Sequence, residues 1–463
     1  MAVIDVLRDL LGDVVSTAAA DLEATRSDRS GFRSDAPPAA VVFAESIEQV
    51  QATLRFASEH RIPVVPRGAG TGLAGGAIGD AGSIVLDLSR MDRILAVDAD
   101  DELAVVEPGV VNDDLDAAVR PLGLWYAPDP ASKAISTIGG NIATNAGGLL
   151  CAKYGVTREA VLGLAVVLAD GRLLRTGHRT VKGVTGYDLT ALFTGSEGTL
   201  GIIVEATVRL RPVPVGEPVT IGAFFPDVAA AAAASAAITA ARLRPAVMEL
   251  IDGQALGSIR AHLGSAAFVG TPLEVEPDGP GSAAFLLVQC DGSAAADEAT
   301  RALSVIEGAG GAARLAEDAA AGERLLAIRR AFHPAVAAGG EVLIEDVSVP
   351  RSRMAEMFRI IDEIGERYGI RIPTVAHAGD GNLHPNFVYD GGEVPQHVWA
   401  AADDLFRAAL ALGGTLTGEH GVGLLKRRWL AEELGDDGYA LQRELKRVFD
   451  PDGILNPGKL FAD

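Results

Sequence analysis

A glycine-rich segment directly after an apolar strand places the strongest constraint on the fold of this chain. RGAGTGLAGG, which begins at Arg67, follows IPVVP and contains the pattern G-x-G-x-x-G. In a doubly wound α/β fold, that pattern opens a helix whose N-terminus holds a pyrophosphate. Here Gly76, Gly79 and Gly82 follow, and each glycine costs a helix about 1 kcal/mol relative to alanine. The sequence therefore predicts a loop between strands, either an ordinary glycine turn or a nest of amides around an anion.

Two further glycine-rich segments follow. One is PDPASKAISTIGGNIATNAGG, residues 128–148, which we expect to be a loop, and the other is TGSEGTLG from Thr194. Paired glycines and small hydroxyl side chains let a large ligand approach the backbone closely. Three such segments in one part of the chain favour a single elongated dinucleotide over three unrelated turns.

The charge balance excludes some classes of protein. The chain has 40 Lys and Arg against 62 Asp and Glu, a formal net charge of −22, which argues against a nucleic-acid partner. Two cysteines suit a reducing compartment. The start MAVIDVLRDLLGDVV has no basic region ahead of its apolar residues, and no apolar run is long enough for a transmembrane segment. We expect a cytoplasmic protein, or one that is peripheral to the membrane.

The composition changes near residue 215. Up to Pro212, strands alternate with glycine loops, whereas the following region pairs the strand TIGAFF with an alanine-rich helix from Ala229. A second strand, FLLVQC, precedes another helix. This pattern is typical of an α+β or an α/β chain, and it predicts a second domain that begins at about residue 215.

Histidines mark a candidate metal site. In VAHAGDGNLHPNF, a two-residue turn at Asp380-Gly381 would place His377 directly opposite His384 in a hairpin, on one face. Two imidazoles could then bind one ion, and Glu419 in TGEHGVG could supply a carboxylate. The alternative is a pair of surface histidines. If the chain is extended at Glu419, the next side chain, His420, points the other way and either accepts a substrate proton or braces the metal shell.

These motifs together resemble a known family. PRGAGTGLAGG, IGGNIATNAGG, GYDLTALFTGSEGTLG, HAGDGNLH, GEHGVG and LNPGKLF occur in the order found in FAD-linked oxidases of the vanillyl-alcohol oxidase type. The chain most resembles the branch of D-lactate dehydrogenases, glycolate oxidase FAD subunits and D-2-hydroxyglutarate dehydrogenases. The resemblance implies an α+β fold with a two-subdomain FAD-binding domain, residues 1–214. It also implies a ferredoxin-like substrate domain that caps the flavin, residues 215–421, and a C-terminal segment, residues 422–463, that returns to the FAD domain.

The resemblance also implies which residues bind FAD. No histidine occurs in the first loop, where some relatives attach the flavin, so we expect non-covalent FAD. The implied cofactor residues are Arg67, Gly68, Ala69, Gly70, Thr71, Gly72, Pro128, Ser136, Thr137, Gly139, Gly140, Asn141, Thr144, Glu197, Gly198, Ile203 and Asn456. Lys459 is expected to approach the cofactor as well.

The same resemblance assigns the reaction. His377, His384 and Glu419 match the family's metal ligands, for which we expect Zn, with Mn or Fe as alternatives, and His420 matches its general base. The carboxylate-binding arginine maps to Arg329, although Leu326 replaces the family's tryptophan and Arg330 is the alternative. Ile344 stands where hydroxyglutarate enzymes carry a lysine.

We therefore expect oxidation of a small D-2-hydroxy acid, D-lactate or glycolate, with catalysis by His420 and Arg329. D-2-hydroxyglutarate oxidation and a metal-dependent hydrolase without flavin are the alternatives. The electron acceptor is a quinone, a soluble carrier or a partner subunit, and the sequence is compatible with a homodimer.

Overall fold

Two units, assembled from interleaved stretches of the chain, make up the computed structural model, which describes residues 3–274 and 284–462. Unit 1 comprises Met1–Gly147, Gly155–Val213 and Glu419–Asp463, and unit 2 comprises Gly148–Tyr154 and Pro214–Gly418. The short segment Gly148–Tyr154 thus belongs to unit 2, which was not predicted from the sequence.

Helices and strands alternate irregularly through both units. Up to residue 213 they are α1 (Val3–Leu11), β1 (Val15–Ser16), α2 (Ala19–Ala24), β2 (Ala40–Phe43), α3 (Ile47–His60), β3 (Val64–Arg67), β4 (Ile84–Asp87), β5 (Ile94–Asp98), β6 (Leu103–Val106), α4 (Asn112–Val119), β7 (Leu124–Trp125), α5 (Ile138–Thr144), α6 (Cys151–Tyr154), α7 (Thr157–Ala160), β8 (Val161–Val167), β9 (Leu173–Gly177), α8 (Leu189–Phe193), β10 (Ile202–Arg209) and β11 (Arg211–Pro212). Beyond it they are β12 (Val219–Phe225), α9 (Val228–Ala240), β13 (Val247–Ile251), α10 (Gly253–Leu263), β14 (Ala284–Cys290), α11 (Ala295–Gly308), β15 (Ala312–Leu315), α12 (Ala319–Arg330), α13 (Phe332–Ala337), β16 (Glu341–Ile344), β17 (Val347–Ser348), α14 (Met354–Tyr368), β18 (Thr374–His377), β19 (Asn382–Tyr389), α15 (Gln396–Ala411) and α16 (Leu430–Phe449).

Unit 1 contains two main sheets. The first has the order β1-β2-β4-β3, and β4 runs parallel to both β2 and β3. These three strands are buried and almost continuously apolar, as is usual for parallel strands that are covered on both faces. The second, of order β5-β6-β10-β8-β9, is antiparallel. The C-terminal segment returns to the first sheet, where Val64 N donates to Ile454 O and Asn456 N donates to Val64 O.

Unit 2 is built on an antiparallel sheet whose first four strands have the order β15-β12-β14-β13. With α9 between β12 and β13 and α11 between β14 and β15, this is the ferredoxin-like arrangement, which confirms the prediction for this region. Strands β18, β19 and β16 extend the sheet beyond β13. The expected alanine-rich helix is α9, whose small side chains, such as Ala231 and Ala234, are buried in unit 2.

The first glycine segment follows β3 and forms turns and bends as far as β4, without a helix. This confirms that it is not the opening of a doubly wound fold. The second segment departs from expectation, because Ile138–Thr144 forms the helix α5 where we predicted a loop. Thr137 caps this helix by accepting a hydrogen bond from Gly140 N, a favourable end that offsets the poor helix propensity of its two glycines.

Asp252 lies between β13 and α10, and its buried carboxyl group is expected to make the stability of the protein depend on pH. It accepts hydrogen bonds from Ala255 N at 2.6 Å and Thr374 N at 2.8 Å, and burial raises its pKa from 3.8 to about 7. The folded state therefore retains a proton that the unfolded chain has lost above pH 4. We expect the free energy of unfolding to fall between about pH 4 and pH 7 by on the order of a few kcal/mol from this group.

Chemical denaturation of wild type and Asp252→Asn across this pH range tests the prediction. The asparagine variant is expected to lack this part of the slope. Asp318→Asn, which changes an exposed aspartate that caps α12 in the same way, is the control and should keep the wild-type slope. Identical slopes for wild type and Asp252→Asn would contradict the prediction.

Among residues 3–274 and 284–462, no helix is both long and apolar enough to cross a membrane.

Candidate active site

The first two glycine segments lie against each other in unit 1. A Cβ atom on Gly68 would lie 2.4 Å from Thr137 Oγ1, so only glycine allows this approach without a shift of the neighbouring side chain. Thr137 is the residue that caps α5. The predicted cofactor residues of both segments are thus brought together although the segments are far apart in sequence.

Polar atoms beside this contact fit a bound ligand. Ser136 and Asn141 are 2% and 4% exposed, and within the described residues neither Ser136 Oγ nor Asn141 Nδ2 has a hydrogen-bond partner. A buried donor without a partner costs about 1–3 kcal/mol, so native proteins rarely leave such donors unpaired. Phosphate and flavin oxygens are acceptors that would satisfy donors of this kind, so the residues present fit FAD.

Close backbone packing also positions α5. A Cβ atom on Gly139 would lie 2.5 Å from Pro108 Cβ and 2.9 Å from Pro108 O. We therefore expect Gly139→Ala to displace α5, to lower stability and to weaken FAD retention, which flavin absorbance after gel filtration measures. Gly257→Ala is the control, because a Cβ there has nothing within 4 Å and alanine favours the helix α10. An unchanged flavin content in Gly139→Ala would contradict the prediction.

The third glycine segment and the C-terminal segment meet the first. Asn456 Nδ2 donates to Gly76 O at 2.9 Å and to Glu197 O at 2.8 Å. The buried carboxylate of Glu197 accepts hydrogen bonds from Val422 N and Gly423 N, and burial raises its pKa. In the structure Glu197 therefore holds the backbone that follows His420, while its expected role at the adenosine part of FAD stays a prediction.

Arg67 ends β3, and its guanidinium is directed into its own loop. It donates to Ser27 O at 3.0 Å and Ala77 O at 2.7 Å, and burial lowers its pKa. Its expected contact with FAD stays a prediction. The other predicted cofactor residues lie in or beside the three segments: Ala69, Gly70, Thr71, Gly72, Pro128, Gly140, Thr144, Gly198 and Ile203. Lys459 donates through Nζ to Ile78 O at 3.2 Å.

The two hairpin histidines lie together in unit 2, but not through the predicted pairing. Strand β18 ends at His377, which pairs with Asn382, and His384 pairs with Val375, so the loop spans residues 378–381 and the two-residue turn was wrong. The register differs from the prediction by two residues, and side chains alternate with a period of two, so both histidines keep one face. Their rings are 4.8 Å apart between centroids and nearly perpendicular.

Glu419 is the residue that follows the last residue of unit 2. Asp346 holds the chain just before it, because its carboxylate accepts hydrogen bonds from Thr417 Oγ1 at 2.9 Å and Gly418 N at 2.6 Å. One ligand atom from each of His377, His384 and Glu419 lies within 4.8 Å of the others. Two imidazoles and a carboxylate fit Zn, Mn or Fe.

His420 follows in a bend instead of an extended segment, so the expected alternation of its side chain with that of Glu419 does not apply. Its Nε2 lies 4.0 Å from Glu419 Oε1, and its side chain is 10% exposed. The ring is thus beside Glu419 and has limited access to solvent.

The two adjacent arginines at the end of α12 have different surroundings. Arg330 is half exposed and forms an ion pair with Glu323 at 2.7 Å. Arg329 is 8% exposed, and its Nη2 lies 2.8 Å from Oε2 of Glu249, a fully buried carboxylate on β13. The other oxygen of Glu249, Oε1, lies 2.6 Å from His377 Nδ1.

Three buried polar residues were not predicted from the sequence: Glu249, Asp346 and Asn386. Glu249 is the one charged residue of the apolar strand VMELI, and this was the signal that could have revealed it. Asn386 is 1% exposed and lies two residues after His384, and its Oδ1 has no hydrogen-bond partner among the described residues. Two residues apart on a strand, they share a face.

Comparison with known proteins identifies the family of this chain. Residues 38–177 match the family model described as "FAD binding domain", and residues 217–460 match "FAD linked oxidases, C-terminal domain". The chain is 42% identical over 433 residues to the glycolate oxidase subunit GlcD of Bacillus subtilis (strain 168), covering 92% of this chain and 89% of that protein. It is 38% identical over 426 residues to a D-lactate dehydrogenase of Archaeoglobus fulgidus, covering 91% and 90%.

The fold has solved counterparts too. The structure of p-cresol methylhydroxylase with substrate bound matches with a TM-score of 0.79 at 21% identity, covering all of this chain and 96% of that one. The two matched domains and these relatives define a flavin-dependent oxidoreductase. The chain belongs to the FAD-linked oxidase family, with the fold of the vanillyl-alcohol oxidase type. Both expectations from the sequence are confirmed.

Proposed function

We propose that this enzyme oxidises a D-2-hydroxy acid, with D-lactate or glycolate favoured, to the 2-oxo acid. The observation that carries the proposal is the ligand set of His377, His384 and Glu419 in a chain of the FAD-linked oxidase family. The substrate class follows the relatives named as a glycolate oxidase subunit and a D-lactate dehydrogenase.

In this proposal, bound FAD supplies a two-electron acceptor, and a divalent ion, Zn favoured, supplies the Lewis acidity that lowers the pKa of the substrate hydroxyl. His377, His384 and Glu419 hold the ion. His420 takes the hydroxyl proton as the hydride leaves the α-carbon, and Arg329 binds the carboxylate through donors that do not face Glu249. Protons and electrons balance, since the alcohol loses one hydride and one proton.

Three features support details of the proposal. Arg329 is preferred to Arg330 because it is buried and joined through Glu249 to His377, whereas Arg330 is exposed and pairs with Glu323. A monocarboxylate is preferred to D-2-hydroxyglutarate because Ile344 replaces the lysine of hydroxyglutarate enzymes and the buried acids Glu345 and Asp346 follow it. A hydrolase without flavin lacks support, because the chain belongs to a flavin-dependent family.

Anaerobic mixing of the FAD-loaded enzyme with D- and L-lactate, glycolate and D-2-hydroxyglutarate tests the proposal. We expect D-lactate or glycolate to bleach the flavin absorbance at catalytically competent rates. Reduction by only the L-enantiomer, or by no 2-hydroxy acid, would contradict the proposal. Faster reduction by D-2-hydroxyglutarate would assign the dicarboxylate as substrate instead.

A further inference from the structure

Glu249 lies at a position where a charged residue is costly. Its side chain is fully buried, and its neighbours on β13 are apolar. Burial of a carboxylate is tolerated when its charge is paired and its oxygens accept hydrogen bonds. Two groups of unit 2 face this carboxylate: Oε1 forms a hydrogen bond with His377, and Oε2 forms an ion pair with Arg329.

The two carboxylate oxygens of Glu249 have different partners in the proposed site. Oε1 accepts from His377 Nδ1 at 2.6 Å, and Glu249 and His377 are directly paired residues of neighbouring strands. Oε2 lies 2.8 Å from Nη2 of Arg329, whose side chain is also buried. One carboxylate therefore joins a candidate metal ligand to the candidate substrate arginine.

The bond to His377 decides which ring nitrogen can bind an ion. Because Nδ1 donates its hydrogen to Glu249, the lone pair is on Nε2, and Nε2 is the nitrogen available as a ligand. A carboxylate behind a ligating histidine fixes the orientation of the ring and increases its basicity as a ligand.

The ion pair with Glu249 constrains where the remaining donors of Arg329 lie. A guanidinium is planar, so a short contact at one Nη constrains the plane in which the other donors point. In a 2-hydroxy acid, the hydroxyl and the carboxylate are on adjacent carbons. A group that binds the carboxylate must then be held at a short and constant distance from a group that binds the hydroxyl.

We propose that Glu249 is a positioning residue that sets this distance, by orienting His377 toward the ion and Arg329 toward the substrate carboxylate. The inference rests on the proposed function and extends it. It makes Glu249 a determinant of the preference for 2-hydroxy acids over 3-hydroxy acids, whose hydroxyl is one carbon further from the carboxylate.

The test uses Zn²⁺ as the probe and the full-length FAD-loaded protein, freed of metal by a chelator. Calorimetric titration gives the Kd for Zn²⁺, and steady-state kinetics give kcat and KM for the best substrate of the panel. For Glu249→Gln we expect binding of Zn²⁺ to weaken about 10- to 100-fold at unchanged flavin content, and KM to rise. The exposed counterpart Glu323→Gln, which breaks the ion pair of Arg330, should change neither value.

Arg329→Met separates the two roles. It should raise KM while leaving the Kd for Zn²⁺ within about threefold, because Glu249 still accepts the bond from His377. If Glu249→Gln binds Zn²⁺ as tightly as wild type, the inference is wrong and the proposed function stands. If wild type binds no Zn²⁺, Mn²⁺ or Fe²⁺, the metal part of the proposed function fails, and the inference fails with it.

A third variant guards against misfolding of Glu249→Gln. Glu249→Leu combined with Arg329→Met replaces the buried ion pair by apolar side chains, a change that proteins often tolerate. Weak Zn²⁺ binding in this folded variant would support the positioning role. Wild-type affinity would show that Glu249 only neutralises Arg329 and would overturn the inference.

Discussion

Replacement of His420 by glutamine is expected to lower kcat on the order of 10²- to 10⁴-fold, the usual contribution of a general base. The physical reason is that glutamine keeps a polar side chain of similar reach but cannot take the hydroxyl proton. FAD and metal contents are expected to stay as in wild type, since the proposal assigns His420 to neither group. Single-turnover reduction of the flavin, followed by absorbance, measures the effect directly.

His397→Gln is the matched control because His397 is exposed on α15 and is expected to have no effect. Deuterium at the α-carbon of the substrate gives a second readout, since a slowed chemical step should show a full isotope effect. Reduction of the flavin in the His420 variant within about tenfold of the wild-type rate would assign this histidine to the metal shell and not to proton transfer.

Removal of a metal ligand is expected to have the other large effect. His384→Ala should lose the ion and lower kcat/KM on the order of 10³-fold, because Lewis acidity is worth several kcal/mol and each 1.4 kcal/mol is about tenfold in rate. His384 is only 8% exposed, so some loss of stability from the cavity is expected as well. Metal content after gel filtration and the rate of flavin reduction are the two measurements.

A chelator provides the same test without a mutation. Wild type freed of metal should keep its flavin spectrum, lose flavin reduction and recover it on addition of Zn²⁺ or Mn²⁺. His397→Ala should behave as wild type in both experiments. Full activity after demonstrated removal of the metal would refute the role proposed for His377, His384 and Glu419.

Features that depend on neighbours in sequence could be predicted from the sequence. The glycine density after Arg67 correctly excluded a helix there, because helix propensity is a local property. The two histidines of the hairpin were placed on one face although the register was wrong by two residues, because that face depends only on whether the shift is odd or even. The helix α5 was missed, since its cap and its packing on Pro108 outweigh the poor propensity of Gly139 and Gly140.

The role of each charged side chain near the histidines could not be predicted in this way. Arg329 and Arg330 are equivalent by local pattern, and only the buried carboxylate of Glu249, far away in sequence, distinguishes them. The carboxylate of Glu197 accepts hydrogen bonds from the amides of Val422 and Gly423, a contact that the local sequence does not reveal. Hydrogen bonds of buried charges depend on which groups the fold brings within about 3 Å.

The sequence by itself thus determined the family, the type of fold, the cofactor class and the residue types of a candidate metal site, because ordered motifs and glycine loops carry that information locally. Only the tertiary structure decided which nitrogen of His377 is available to an ion, which arginine is buried beside it and that Asp346 holds the chain before Glu419. The physical reason is that a buried charge must find its partner through the fold, and that partner lies on a different strand or helix.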